Sequence, residues 1–93
     1  MPDDYVLNQN YPNPFNPTTV ISFGLPKASD WSVRIYNITG ALVREFSGSS
    51  DAGTVEVTWD GTADTGVMTA SGIYLYRLQA GGFSDSKKMI LLK

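Results

Sequence analysis

The chain of 93 residues contains no cysteine and no histidine. Without cysteine no disulfide can staple the fold and no thiolate can act as nucleophile or metal ligand. Without histidine the commonest general base is missing. Serine and lysine are present, but at no spacing that suggests a catalytic dyad. The acidic residues are scattered over turns and polar strand positions, where solvated charge is their ordinary role. No glycine-rich phosphate loop follows a strand and opens a helix. Charge is also scarce: 17% of residues, with a net of −2. That balance excludes the basic face a nucleic-acid binder needs. No apolar run approaches the roughly 20 residues of a membrane span, and no secretory signal pattern opens the chain. Nine glycines and five prolines fall short of a disordered composition. What is left is one small domain with a single core, no expected enzymatic activity and no expected cofactor.

The pattern that is present is alternation. No segment sustains the i, i+3, i+4, i+7 period of a helix. Residues 18–25 set Ile21, Phe23 and Leu25 against Val20 and Ser22, and Pro26 ends the ladder. Residues 31–37 set Trp31, Val33 and Ile35 against Ser32, Arg34 and Tyr36. A turn at 37–40 carries glycine at its end. Residues 41–46 form its hairpin partner, and the broken alternation of Leu42, Val43 and Phe46 points to a bulge. Residues 48–53 read as a polar loop. Residues 54–59 alternate Val55, Val57 and Trp59 with Thr54, Glu56 and Thr58. After a long loop at 60–71, residues 73–80 are apolar on both faces, as in a central buried strand. Gly81 and Gly82 make a tight turn into a last strand, 83–92. A short strand at 5–8 brings the count to seven. The expected fold is all-β, an immunoglobulin-like antiparallel sandwich of about seven strands. Residues 1–17 form a lead-in and residues 18–93 the sandwich. Tyr74 and Tyr76, just after a turn, are either a tyrosine corner or ordinary sheet aromatics.

Two segments stand out. The opening motif Tyr11-Pro12-Asn13-Pro14-Phe15-Asn16-Pro17 is stiffened by three prolines, each fixing φ and pushing its predecessor toward extended geometry. It reads as a clamp in which Tyr11 and Phe15 cover one end of the core, or as a partner contact. The chain finishes on Lys87-Lys88-Met89-Ile90-Leu91-Leu92-Lys93. At a sheet edge this strand could add to a partner's sheet, with its lysines suppressing promiscuous pairing. Alternate side chains must nonetheless face the core. One weak calcium candidate exists, Asp60, Thr62 and Asp64 at alternate positions. Yet Thr65 stands where an EF-hand needs glycine, and Ser71 where it needs glutamate. A last possibility is a sugar-stacking platform of Trp31, Trp59, Tyr36 and Tyr76, although Trp59 falls on an inward position.

Together, LNQNYPNPFNPTTVISFGLPKAS, VRIYNITGALVREF, WDGTADTG and SGIYLYRLQAGGFSDSKKMILLK resemble the type A C-terminal sorting domains of the type IX secretion system. They are also similar to the immunoglobulin-like domain of flagellar hook-capping proteins. The resemblance runs from about Tyr5 to Lys93. It implies a module that passes through the periplasm and carries a cargo, encoded N-terminal to it in a longer precursor, through an outer-membrane translocon to the surface or medium. On that view Met1 is a cloning start. It further implies a sorting peptidase as a partner, residues 87–93 as the recognised strand and residues 11–17 as the family's opening motif. The PNPFNP form is longer than the commonest PNP motif of that family. The competing expectation is a carbohydrate-binding or adhesive sandwich appended to a secreted enzyme.

Overall fold

A computed structural model describes residues 4–92. The described residues form seven strands: β1 Val6–Leu7, β2 Thr19–Leu25, β3 Ser29–Tyr36, β4 Leu42–Ser50, β5 Gly53–Trp59, β6 Gly72–Ala80 and β7 Phe83–Leu91. They form two antiparallel sheets, one of order β1-β2-β5 and one of order β4-β3-β6-β7. This is the immunoglobulin-like sandwich that the alternation predicts. The chain crosses between the sheets after Leu25, where Pro26 ends the ladder, between Ser50 and Gly53, and through the loop 60–71.

Inward positions fill one core. Ile21, Phe23 and Leu25 from β2 and Val57 and Trp59 from β5 meet Val33, Ile35, Tyr76, Leu78, Met89 and Leu91 from the opposite sheet. Phe15, from the lead-in, and Leu7 join the same cluster. Edge-on ring contacts tie the layers: Phe23 with Trp31 at 5.2 Å and Trp59 with Tyr74 at 5.4 Å between centroids. The Tyr74 hydroxyl donates to the Ala70 carbonyl, four residues upstream, at 2.6 Å. That is the geometry of a tyrosine corner, and it pins the end of the 60–71 loop to the strand that follows.

One local feature agrees with the sequence reading and two differ from it. The bulge is present and sits at Val43, because Ile35 pairs with Arg44 while Tyr36 pairs with Leu42. The polar stretch Gly48–Ser50 is not loop but the end of β4. Gly48 crosses directly over the Trp31 indole, where an added Cβ would lie 3.0 Å from the ring. The glycine is therefore a close-approach position within a strand. Finally, β6 is central but not buried on both sides. Its exposure alternates strictly, leaving Ile73 at 40% and Leu75 at 44%. No layer covers the outer face of the four-stranded sheet among the described residues.

Candidate functional site

The two segments singled out in the sequence lie against each other. β7 is the edge of the four-stranded sheet. Its inward side chains, Met89 and Leu91, are fully buried. Lys88 is exposed, Leu92 is half-exposed, and Lys87 and Ile90 are partly covered. Lys93 lies outside the described residues. The free backbone edge of β7 is closed by the lead-in. Gln9 Nε2 donates to the Lys88 carbonyl at 2.8 Å, and Ile90 N–H donates to Asn13 Oδ1 at 3.0 Å. Phe15 N–H donates to the Ile90 carbonyl at 3.0 Å, and Leu92 N–H donates to the Phe15 carbonyl at 2.9 Å. The opening motif thus acts as a short parallel cap on the last strand, pairing Phe15 with Leu91.

Within that motif the two aromatics part company. Phe15 is 2% exposed and its ring lies 5.6 Å from that of Trp59. Tyr11 is 81% exposed. Its backbone, not its ring, is what the fold uses, exchanging hydrogen bonds with Val20 at 3.0 and 2.9 Å. The clamp is therefore made by Phe15 alone. Pro12, Asn13, Pro14, Asn16 and Pro17 stay on the surface.

The anchor that sequence reasoning missed is a buried polar knot upstream of the motif. Asn10 is 2% exposed and Thr19 is fully buried. Asn10 Nδ2 donates to Thr19 Oγ1 at 3.0 Å and to the Pro12 carbonyl at 3.1 Å, and Thr19 Oγ1 donates to that same carbonyl at 2.9 Å. Tyr76 completes the knot from the core. Its hydroxyl accepts from Asn10 N–H at 2.8 Å and donates to the Asn8 carbonyl at 2.7 Å. Burial pushes the Tyr76 phenol up to about 12. Among the described residues no buried side-chain polar atom lacks a partner. The only hint in the sequence is the presence of polar Asn8 and Asn10 beside a tyrosine on a core-facing position.

The acidic loop is built around an internal cation. Arg44 Nε lies 3.3 Å from Asp64 Oδ1, and its NH1 donates to Thr62 Oγ1 at 2.8 Å while standing 4.0 Å from Asp60 Oδ1. Asp60 accepts from the Thr62 hydroxyl and amide, which holds its carboxyl below the usual carboxylate range. The oxygens proposed for calcium, on Asp60, Thr62 and Asp64, therefore already serve the guanidinium and the loop's own turn. Trp59 Nε1 donates to the Thr62 carbonyl at 2.8 Å, fixing the loop to the core. Among the described residues no cluster of three acidic side chains forms. Millimolar calcium is expected to leave the melting temperature unchanged and to give no heat in a calorimetric titration. Saturable binding would show that the loop rearranges around the ion.

The four aromatics considered for sugar stacking do not make a platform. Trp59 and Tyr76 are fully buried. Trp31 is partly buried, points inward onto Phe23 and donates from Nε1 to Ser50 Oγ at 3.1 Å. Tyr36 alone belongs to the outward row. A surface depression of about 300 Å³ near Trp31 is lined by Asp30, Ser32, Gln79, Ala80 and Gly81. It offers no second aromatic face.

This geometry defines an immunoglobulin-like β-sandwich domain whose distinctive feature is the joined lead-in and last strand. The sequence model of the FlgD Ig-like domain matches residues 8–82, and the chain belongs to that family. Similar solved structures include the following three. The dimeric latent form of PorU from Porphyromonas gingivalis superposes with a TM-score of 0.79 at 26% identity, over 96% of this chain and 9% of that one. PorZ, an essential bacterial surface component of the type IX secretion system of the same organism, gives 0.65 at 26% identity, over 91% and 11%. FlgD from P. aeruginosa gives 0.65 at 28% identity, over 80% and 59%. The chain thus spans about a tenth of PorU and PorZ and about three-fifths of FlgD. No curated protein gives a significant match. The family match stops before β7, whereas the likeness to PorU extends over nearly the whole chain.

Proposed function

We propose that this domain is a non-catalytic C-terminal sorting module of type A. It directs a cargo, attached at its N-terminal side, across the outer membrane through a type IX translocon to the surface or medium, where a sorting peptidase acts on it. The observation that carries this reading is the last strand. It extends past the family match, presents Lys88, Ile90 and Leu92 outward, and belongs to a sandwich similar to domains of PorU and PorZ over more than nine-tenths of its length. PorZ is a component of that secretion system. The carbohydrate-binding alternative loses its support with the burial of Trp59 and Tyr76.

The test is export of a reporter. Residues 5–93 are fused behind a periplasm-directed fluorescent protein in a bacterium with a type IX system, beside the reporter alone. The fusion is expected at the surface or in the medium, and the bare reporter in the periplasm. Retention of both, also with a translocon of the module's native lineage, would overturn the reading. Deleting 87–93 is a poor negative control, because it removes Met89 and Leu91 from the core and the domain would lose its fold along with its address.

A further inference from the structure

Three groups on β7 could meet a partner: its backbone edge, its inward side chains and its outward side chains. The inward side chains are spent, and so is the edge from Lys88 to Leu92, where the strand finishes. Residues 9–15 satisfy the edge at Lys88, Ile90 and Leu92, and Met89 and Leu91 are fully buried. Strand addition at that stretch would require the lead-in to leave, taking Phe15 out of the core.

The outward side chains are different. Pairing registers place Leu42, Tyr36, Leu75 and Lys88 in one row across the four strands, with Ile73 and Ile90 adjacent in the next. Leu42 is 50% exposed, and Ile73 and Leu75 are 40% and 44% exposed. The solvated face of an antiparallel sheet is ordinarily polar, and the rest of this one is. The following row is Glu45, Arg34, Arg77 and Ser86, and beyond it lie Ser47, Ser32, Gln79 and Ser84. Apolar side chains thus gather at the end of the face where β7 finishes, which is how an interaction patch differs from scattered surface leucines.

Charge says what fits there. Arg34 is neutralised by Glu45 at 2.7 Å. Arg77 and Lys88, which flank Leu75, form no ion pair among the described residues. We infer that the partner reads this outer face rather than the strand edge, and that it is a protein surface with an apolar centre and a carboxylate rim. The inference rests on the sorting reading and names the surface that reading uses. A second copy would set unpaired cations against their own kind, and these two unpaired cations fall short of the basic cluster that an anionic lipid surface needs.

The experiment uses the export fusion in three further forms: Ile73→Ser with Leu75→Ser, Arg77→Glu, and Gln9→Ala with Asn13→Ala. Thermal melts of each domain accompany it. The first two are expected to melt near the parent and to lower the exported fraction by about tenfold or more, equivalent to roughly 1.4 kcal/mol of lost recognition. The third leaves the face intact and is expected to be exported. If the parent is exported and both face variants follow it undiminished, the face is not read and the sorting reading survives alone. If only the third variant fails while remaining folded, the reader contacts the lead-in cap over the edge and not the outer face, and the inference falls. If the parent stays behind, both fall together. Dimerisation of the isolated domain, or its binding to phosphatidylglycerol vesicles, that disappears in the serine pair would assign the face to a second copy or to lipid and overturn the protein partner. Should the serine pair melt early, Arg77→Glu decides, since an exposed unpaired arginine contributes little to the fold.

Discussion

Phe15→Ala is expected to destabilise the domain by about 3–5 kcal/mol, whereas Tyr11→Ala is expected to change stability by less than about 0.5 kcal/mol. The two residues are four apart in one proline-stiffened motif, and composition alone would treat them alike. Their surroundings separate them. Phe15 is 2% exposed and packs against Trp59, so truncation forfeits the transfer of a whole ring and leaves a cavity under the last strand. Its amide and carbonyl are also two of the four hydrogen-bonding partners that close the edge of β7. As the ring loosens, the cap loosens with it. Tyr11 is 81% exposed, and alanine can keep its backbone pairing with Val20. For a domain with a total stability of about 5–15 kcal/mol, the Phe15 change is a large share. Urea melts of the two variants beside the parent decide it. Equal small effects would mean that the lead-in is not part of the cooperative fold.

Much of the sandwich was legible because burial imposes a period of two. Val55, Val57 and Trp59 point inward as their alternation requires, and the irregular Leu42-Val43-Phe46 spacing marked a true bulge. Where the period is uninformative, the reading failed. The opening motif has no alternation, since its prolines break the ladder, so nothing local tells Phe15 from Tyr11. Gly48–Ser50 looked like a loop because small polar residues favour turns. They form a strand because the Trp31 indole needs a residue with no side chain above it. Apolar residues on both faces of β6 suggested a covered strand, but residues 4–92 supply no layer for the outer side. The acidic loop offered only a weak calcium candidate, and its neutralising cation was not legible, because Arg44 lies 16 residues before Asp60 in the sequence. Phe15, Gly48 and Arg44 each meet a partner distant in sequence, which no local pattern encodes.

Tyr76 is another partner distant in sequence, and removing its hydroxyl is the second large expected effect. Tyr76→Phe keeps the ring and creates no cavity, yet strands the buried Asn10 amide and frees the Asn8 carbonyl of its donor. At about 1–3 kcal/mol for each of these two groups, a loss of about 2–6 kcal/mol is expected at neutral pH. The same hydroxyl gives the effect a pH signature. The phenol is pushed up to about 12 by burial, against about 10 in an unfolded chain. Below pH 10 both states hold the proton, and the contribution is fully present. Between about 10 and 12 the unfolded state releases its proton while the folded state keeps it, so the unfolded state binds fewer protons and stability falls as pH rises. A shift of about two units corresponds to a loss of about 3 kcal/mol across that window. Phenylalanine has no proton to lose, so its variant lacks this component. The stability gap between parent and variant should therefore be widest near neutrality and narrow steadily from about pH 10 upward, as read by urea unfolding at stepped pH. A gap that stays constant through the alkaline window would show that burial does not hold the Tyr76 phenol in its neutral form. The knot that joins the start of the chain to its core would then be weaker than its 2.7 and 2.8 Å hydrogen bonds indicate.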